Sequence, residues 1–118
     1  MLIEETVIAH LSGLLPVPVY AEVPDGAAPG DAFAVVEKTG GRARDQIHEA
    51  TFAVQSYGAT LRDCAALSRR VRRAMETLPE RDEIGACRFE TEYNWTDTAA
   101  RRYRYQAVFH LTYYEEEE

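Results

Sequence analysis

The chain is 118 residues long, the size of one domain, and its 46% hydrophobic and 28% charged side chains exclude wholesale disorder. No apolar run approaches the ~18–20 residues that span a bilayer. Glu4 and Glu5 stand where a secretory signal would carry basic residues, so the protein is expected to fold in a cytoplasm. Thirteen cations against twenty acids leave a net charge of −7, which argues against free duplex nucleic acid as the partner.

Ile3, Val7, Leu11 and Leu14 recur at helical spacing, with Glu4, Glu5 and His10 largely off their stripe. This predicts an amphipathic helix over residues 2–15, ended by Pro16 and Pro18. Residues 19–23 read as a short extended piece, and residues 24–31 as a loop on their proline, glycine and aspartate content.

Residues 33–39 form a β-branched run suited to a strand, and residues 47–57 a longer alternating one. In the second, Ala50, Phe52 and Val54 share one face, while Glu49, Thr51 and Gln55 share the other. Between them, residues 40–46 are polar and glycine-rich, which predicts a hairpin loop longer than a tight turn requires. Such an arginine-bearing tip is either loose decoration or a reaching contact arm.

Thr60 is placed to cap a second helix, with Asp63 as the acid of a capping box. Leu61, Cys64, Ala65, Val71, Met75 and Leu78 mark its buried stripe, and Pro79 its end. Arg69, Arg70, Arg72 and Arg73 fan over the other side, with Glu76 in salt-bridging reach of Arg72 and Arg73. On an acidic protein this reads as a solvated or subunit-facing flank rather than a nucleic-acid signal. Residues 84–96 and 101–114 are two more alternating segments joined at residues 97–100, a second hairpin. Tyr103, Tyr105, Ala107, Phe109 and Leu111 fall on one face of its last strand.

Strand pairs with helices interposed predict an α+β two-layer sandwich, a mainly antiparallel β-sheet with two α-helices packed on one face. The expected domain is residues 1–114. The glutamate run 115–118 is expected to be a disordered acidic C-terminal tail that aids solubility, with docking as the alternative.

Little recommends catalysis. Cys64 and Cys87 lack CxxC spacing, have no helix N-terminus or histidine near them in sequence, and read as reduced apolar fillers. His10, His48 and His110 are isolated, so no metal site and no cofactor are expected. Gly40-Gly41 is followed by no Lys-Ser/Thr and no helix, hence no phosphate loop. Asn94-Trp95-Thr96 is a glycosylation sequon that meets no machinery without a signal peptide. Glu90 and Glu92 are expected to share one strand face, exposed beside neighbouring arginines.

The aromatics are more informative. Of the seven tyrosines and one tryptophan, most crowd toward the second hairpin, where Tyr93, Trp95, Tyr103 and Tyr105 lie among Arg88, Arg101, Arg102 and Arg104. Tyrosine, tryptophan and arginine together are the composition of interface anchors, although half of these rings would also serve to finish a small core. Twelve of the thirteen cations are arginine, the cation favoured at wet interfaces.

Four phrases in order, Phe33-Ala-Val-Val-Glu-Lys-Thr-Gly40, Ala50-Thr-Phe-Ala-Val-Gln-Ser-Tyr57, Tyr93-Asn-Trp-Thr-Asp97 and Arg102-Tyr-Arg-Tyr-Gln-Ala-Val-Phe109, resemble the tail terminator (tail completion) proteins of long-tailed siphophages and their prophages. The resemblance spans almost the whole chain but not the run 115–118. It implies a structural virion protein, not an enzyme: a homo-oligomer, a hexameric ring that caps the head-proximal end of the tail tube. Such a ring stops polymerisation of the major tail tube protein and offers a docking surface to the head–tail connector complex. DNA would pass through its lumen without specific binding, and no membrane is involved. The candidate tube or ring contacts are Arg42, Arg44 and Asp45 on the first hairpin. The candidate subunit-interface residues are Trp95, Arg101, Arg102, Tyr103 and Arg104. The alternatives are a head–tail connector or adaptor of the virion neck and, from another class, a small cytoplasmic enzyme or ligand-binding module, which would need an enclosed polar pocket.

Overall fold

The structure, a computed structural model, describes residues 2–115. Helix α1 (Ile3–Leu14) forms because Ile3, Val7 and Leu11 stack on one buried stripe, while Glu4 and Glu5 oppose the positive end of its dipole. Leu14, expected on that stripe, is 54% exposed, and Leu15 is buried in its place. The chain leaves the helix at Leu15 in extended conformation, which turns that side chain back to the core. His10 is not idle on the outer side. Its Nε2 lies 3.0 Å from the Ala74 carbonyl and 2.8 Å from Thr77 Oγ1, and its Nδ1 accepts from Arg81 Nε at 3.0 Å.

Five strands follow: β1 (Val19–Tyr20), β2 (Phe33–Arg44), β3 (Ile47–Gly58), β4 (Ile84–Asn94) and β5 (Tyr103–Tyr114). They form one sheet in the order β1-β2-β3-β5-β4, with β1 parallel to β2 and every other pair antiparallel. Helix α2 (Leu61–Glu76) lies between the hairpins in sequence, and a single 3-10 turn at Leu78–Glu80 leads into β4. Thr60 Oγ1 accepts the Asp63 N–H at 3.1 Å, the expected cap. Both helices pack on one face of the sheet, so the α+β sandwich holds.

The core between the layers gathers Val7 and Leu11 from α1, Val71 and Met75 from α2, Leu78, and Phe52, Val54, Phe109 and Leu111 from the two central strands. Each such side chain contributes about 1.5–3 kcal/mol on burial. The α2 stripe is Cys64, Leu67, Ser68, Val71, Ala74 and Met75. Leu61 and Ala65, expected there, lie off it, because the sheet beneath is met by the line through Cys64, Val71 and Met75. Leu61 is 37% exposed and Ala65 half-buried.

The first hairpin corrects the sequence expectation most. Residues 40–46 are not a long loop. β2 continues to Arg44, Arg42 pairs with Glu49 and Arg44 with Ile47, and only Asp45 and Gln46 form the turn. Asp45 takes φ 58°, the left-handed conformation a short turn needs and aspartate tolerates better than most residues. A bulge between Lys38 and Gly40 absorbs one residue, and Gly40 and Gly41 are accepted on a strand with no partner beyond β1.

The two ends of the sheet are covered differently. On the face away from the helices, Phe33, Val35 and Tyr57 form a second small core closed by Ala27 of the 21–32 loop. Gln55 and Gln106 lie beside them, Gln55 Nε2 donating to Gln106 Oε1 at 2.7 Å. Thus Gln55, on the face opposite Phe52 and Val54 as expected, is buried there. Toward Arg44, Ile47 and Tyr114 that same face is open.

Candidate functional site

The hairpin tip places the predicted residues together. Arg42 on β2 and Glu49 on β3 are register partners, and Arg42 Nε donates to Glu49 Oε2 at 2.5 Å with the arginine 83% exposed. Arg44 and Asp45 are exposed at the very end. The tip is stiffer than a loop, because β5 runs beside β3 as far as Tyr114, opposite Ile47. Tyr114 lies across Gly85 of β4, its ring edge 3.2 Å from where a glycine β-carbon would stand, so the open end is a packed four-strand surface.

Behind the tip a groove of about 510 Å³ crosses all four long strands, lined in part by Arg42, Glu49, Thr51, Arg88, His110 and Thr112. Its floor carries a relay that sequence alone did not reveal. Thr51 Oγ1 lies 3.1 Å from His110 Nδ1, and His110 Nε2 lies 2.5 Å from Glu90 Oε1. Thr51 and His110 are register partners of β3 and β5, and Arg88 of β4 pairs with His110 in turn. Only the cross-strand register brings them together. The relay has the hydroxyl–imidazole–carboxylate order of an activated nucleophile. Thr51, however, sits on an interior strand whose backbone N–H groups are engaged by β2 and β5, leaving no pair of them to bind an oxyanion. What the arrangement does offer is a row of donors and charges for a polar partner.

Glu90 and Glu92 do not share a face. A bulge between Phe89 and Thr91 interrupts the two-residue period, so Glu90 meets His110 on the open face while Glu92 accepts from Ser68 Oγ at 2.9 Å on the helix side.

At the opposite end the proposed interface residues are largely engaged within the chain. Tyr20, Phe33, Tyr57, Arg104 and Trp95 make a ladder across the sheet. Tyr20 meets Phe33 edge-on at 5.9 Å, Phe33 stacks on Tyr57 at 4.4 Å, Arg104 Nη1 donates to Tyr57 Oη at 3.2 Å, and the Arg104 guanidinium lies 4.0 Å above the Trp95 ring. Arg104 Nε also donates to the Trp95 carbonyl, and Arg102 Nη2 to that of Ala27. Arg101 takes φ 55° in the hairpin turn, where Asp97 and Arg102 bridge. Trp95 and Tyr103 keep 42% and 45% of their surface exposed. Phe33 and Tyr57, absent from the sequence candidates, complete the ladder; their positions at strand ends were the available signal.

Cys64 is the fourth helical residue of α2, nearer a helix N-terminus than the sequence expectation had it. Burial and the Asp63 carboxylate nonetheless push its thiol up to about 11, and burial with Glu76 pushes Cys87 up to about 12. Neither is an activated thiol. Among the described residues no three of His, Cys, Asp and Glu gather as metal ligands, and no helix is long and apolar enough to cross a membrane.

Glu115 N–H donates to the Gln46 carbonyl at 3.1 Å and its carboxylate lies 4.0 Å from His48 Nε2. The expectation for the rest of the glutamate run falls on residues 116–118, outside the described residues. No protein-family model matches the chain, and no curated protein matches it either.

Proposed function

We propose that this protein is a structural subunit of a phage or prophage tail, a terminator whose ring caps the head-proximal end of the tail tube. The observation that carries this is the open end of the sheet. It is a stiff, four-strand surface tipped by Arg42, Arg44 and Asp45, exposed on the face away from the helices and suited to docking on a protein rather than enclosing a small molecule. The sequence resemblance supplies the partners: the tube protein on one side and the head–tail connector complex on the other. An extent of 44 × 25 × 22 Å also suits a ring. With the 44 Å axis set along the ring axis, six copies side by side have a mean radius equal to their spacing, which leaves a central opening of about 19–28 Å. The acidic balance of the chain lets DNA pass without being held by its phosphates.

Deleting the gene from the genome that carries it and measuring tails by negative-stain microscopy tests the proposal. Abnormally long, headless tubes are expected. Tails of normal length beside detached, filled heads would assign the protein to the connector or adaptor of the neck instead.

A further inference from the structure

We propose that copies of this chain join edge to edge, β4 of one copy pairing antiparallel with β2 of the next, so that one sheet runs on from subunit to subunit. Both edges are open. β1 covers β2 only at Ala34 and Val35, and β4 has no neighbour beyond β5. Among the described residues, no backbone hydrogen bond reaches residues 36–44 or 85–94 from outside their ladders with β3 and β5. Neither stretch carries a proline, so each presents unpaired N–H and C=O groups along its outer side.

The two edges match each other in sense, level and charge. β2, β3, β5 and β4 alternate in direction, so the first and the last run opposite ways. A second copy set alongside without inversion therefore brings its β2 to β4 in the antiparallel sense. Through the register of β3 and β5, Arg42 stands in the row of Ala86 and Val36 in the row of Glu92. Residues 36–42 and 86–92 are equal in length and each holds one bulge, so the strands stay in step between those rows. β1 begins to cover β2 in the following row, that of Val35 and Tyr93. Glu37, Lys38 and Arg88 are exposed and have no ion pair among the described residues. Across the new pairing Glu37 falls diagonal to Arg88 on the open face. Lys38 falls diagonal to Glu92 on the helix side, and long side chains span such diagonals. The two edges are different, so the contact is heterologous and repeats head to tail, closing where the turn between copies allows. The inference rests on the ring reading and names the surfaces that build the ring.

Disulfide trapping tests the register. Within one chain β3 and β5 hold the two edges about 14 Å apart, at ~4.8 Å per strand, beyond the roughly 7 Å that a disulfide spans. Row partners in the new pairing would stand about 4.5–5.5 Å apart. An equimolar mixture of Arg42→Cys and Ala86→Cys chains, mildly oxidised, is expected to give a dimer joined between residues 42 and 86, identified by peptide mass spectrometry. A mixture of Arg42→Cys and Thr91→Cys chains, several rows out of register, is expected to give no such bond. Equal cross-linking of the two mixtures, or none in either, overturns the proposal. Sedimentation equilibrium gives a second test, with circular dichroism confirming that each variant folds. Arg88→Glu is expected to weaken self-association about fivefold, and Glu37→Arg added in the same chain to restore it. These two residues lie on opposite edges, so rescue arises only between copies. A folded double variant without rescue, or a wild type that stays monomeric up to about 1 mM, overturns the proposal. In-register cross-links together with unaltered tails in the gene deletion would keep the contact and remove the terminator reading. Long, headless tubes without those cross-links would keep the terminator and remove the contact.

Discussion

The two ends of the sheet are built from the same strands and the same hydrogen-bond ladders, yet only one is covered on both sides. At the end of Phe33, Tyr57 and Arg104, the 21–32 loop closes a second small core, with Ala27 against the Phe33–Tyr57 stack and the Arg102 side chain tying the loop down. At the end of Arg44, Ile47 and Tyr114, the helix side is still filled by Leu111 and Tyr113, but the other side is left to Arg42, Glu49, Thr51, Arg88 and His110. Coverage, not strand quality, separates the two. A ladder supported on both faces resists opening, whereas one supported on a single face keeps its side chains available for a partner without giving up its backbone order.

That contrast can be broken from the inside outward. Phe52, fully buried beneath the helices at the middle of β3, serves both ends; Phe52→Ala is expected to cost about 3–5 kcal/mol in urea unfolding. A loss below about 1 kcal/mol would mean that the strand faces are assigned the wrong way round. Tyr57→Ala tests the doubly covered end alone. It removes a stacked ring and the acceptor of Arg104, and about 2–4 kcal/mol should be lost. A change within about 0.5 kcal/mol would show that the second face is no core at all. The smallest effect on stability belongs to the open end. Arg42→Glu with Arg44→Glu should shift unfolding by no more than about 0.5 kcal/mol, since the Arg42–Glu49 pair is solvent-exposed. On the proposed terminator reading, the same variant should weaken capping of tail tubes; unaltered tube lengths would take the tip off the contact surface.

Much of this organisation was legible in the chain itself. The 3.6-residue stripes of α1 and α2, the Thr60 cap, the alternation of Ala50, Phe52 and Val54, and the second hairpin around residues 97–100 all follow from local periodicity and turn chemistry. Arg42, Arg44 and Asp45 were readable as a tip because polar residues bracket a chain reversal. Other features were not local. Residues 40–46 have the composition of a loop, and only pairing with β3 makes most of them strand, because ladder hydrogen bonds outweigh weak intrinsic preference. The separation of Glu90 from Glu92 depends on a bulge that shifts register by one residue, and the Thr51–His110–Glu90 relay on side chains set 59 and 20 positions apart in sequence. Sequence by itself therefore determined where helix and strand lie away from the first hairpin tip and which residues are apolar enough to be core. Tertiary structure alone decided which strand faces are covered twice, which charges meet and which arginines stay open, because those depend on what packs across a sheet rather than along a chain.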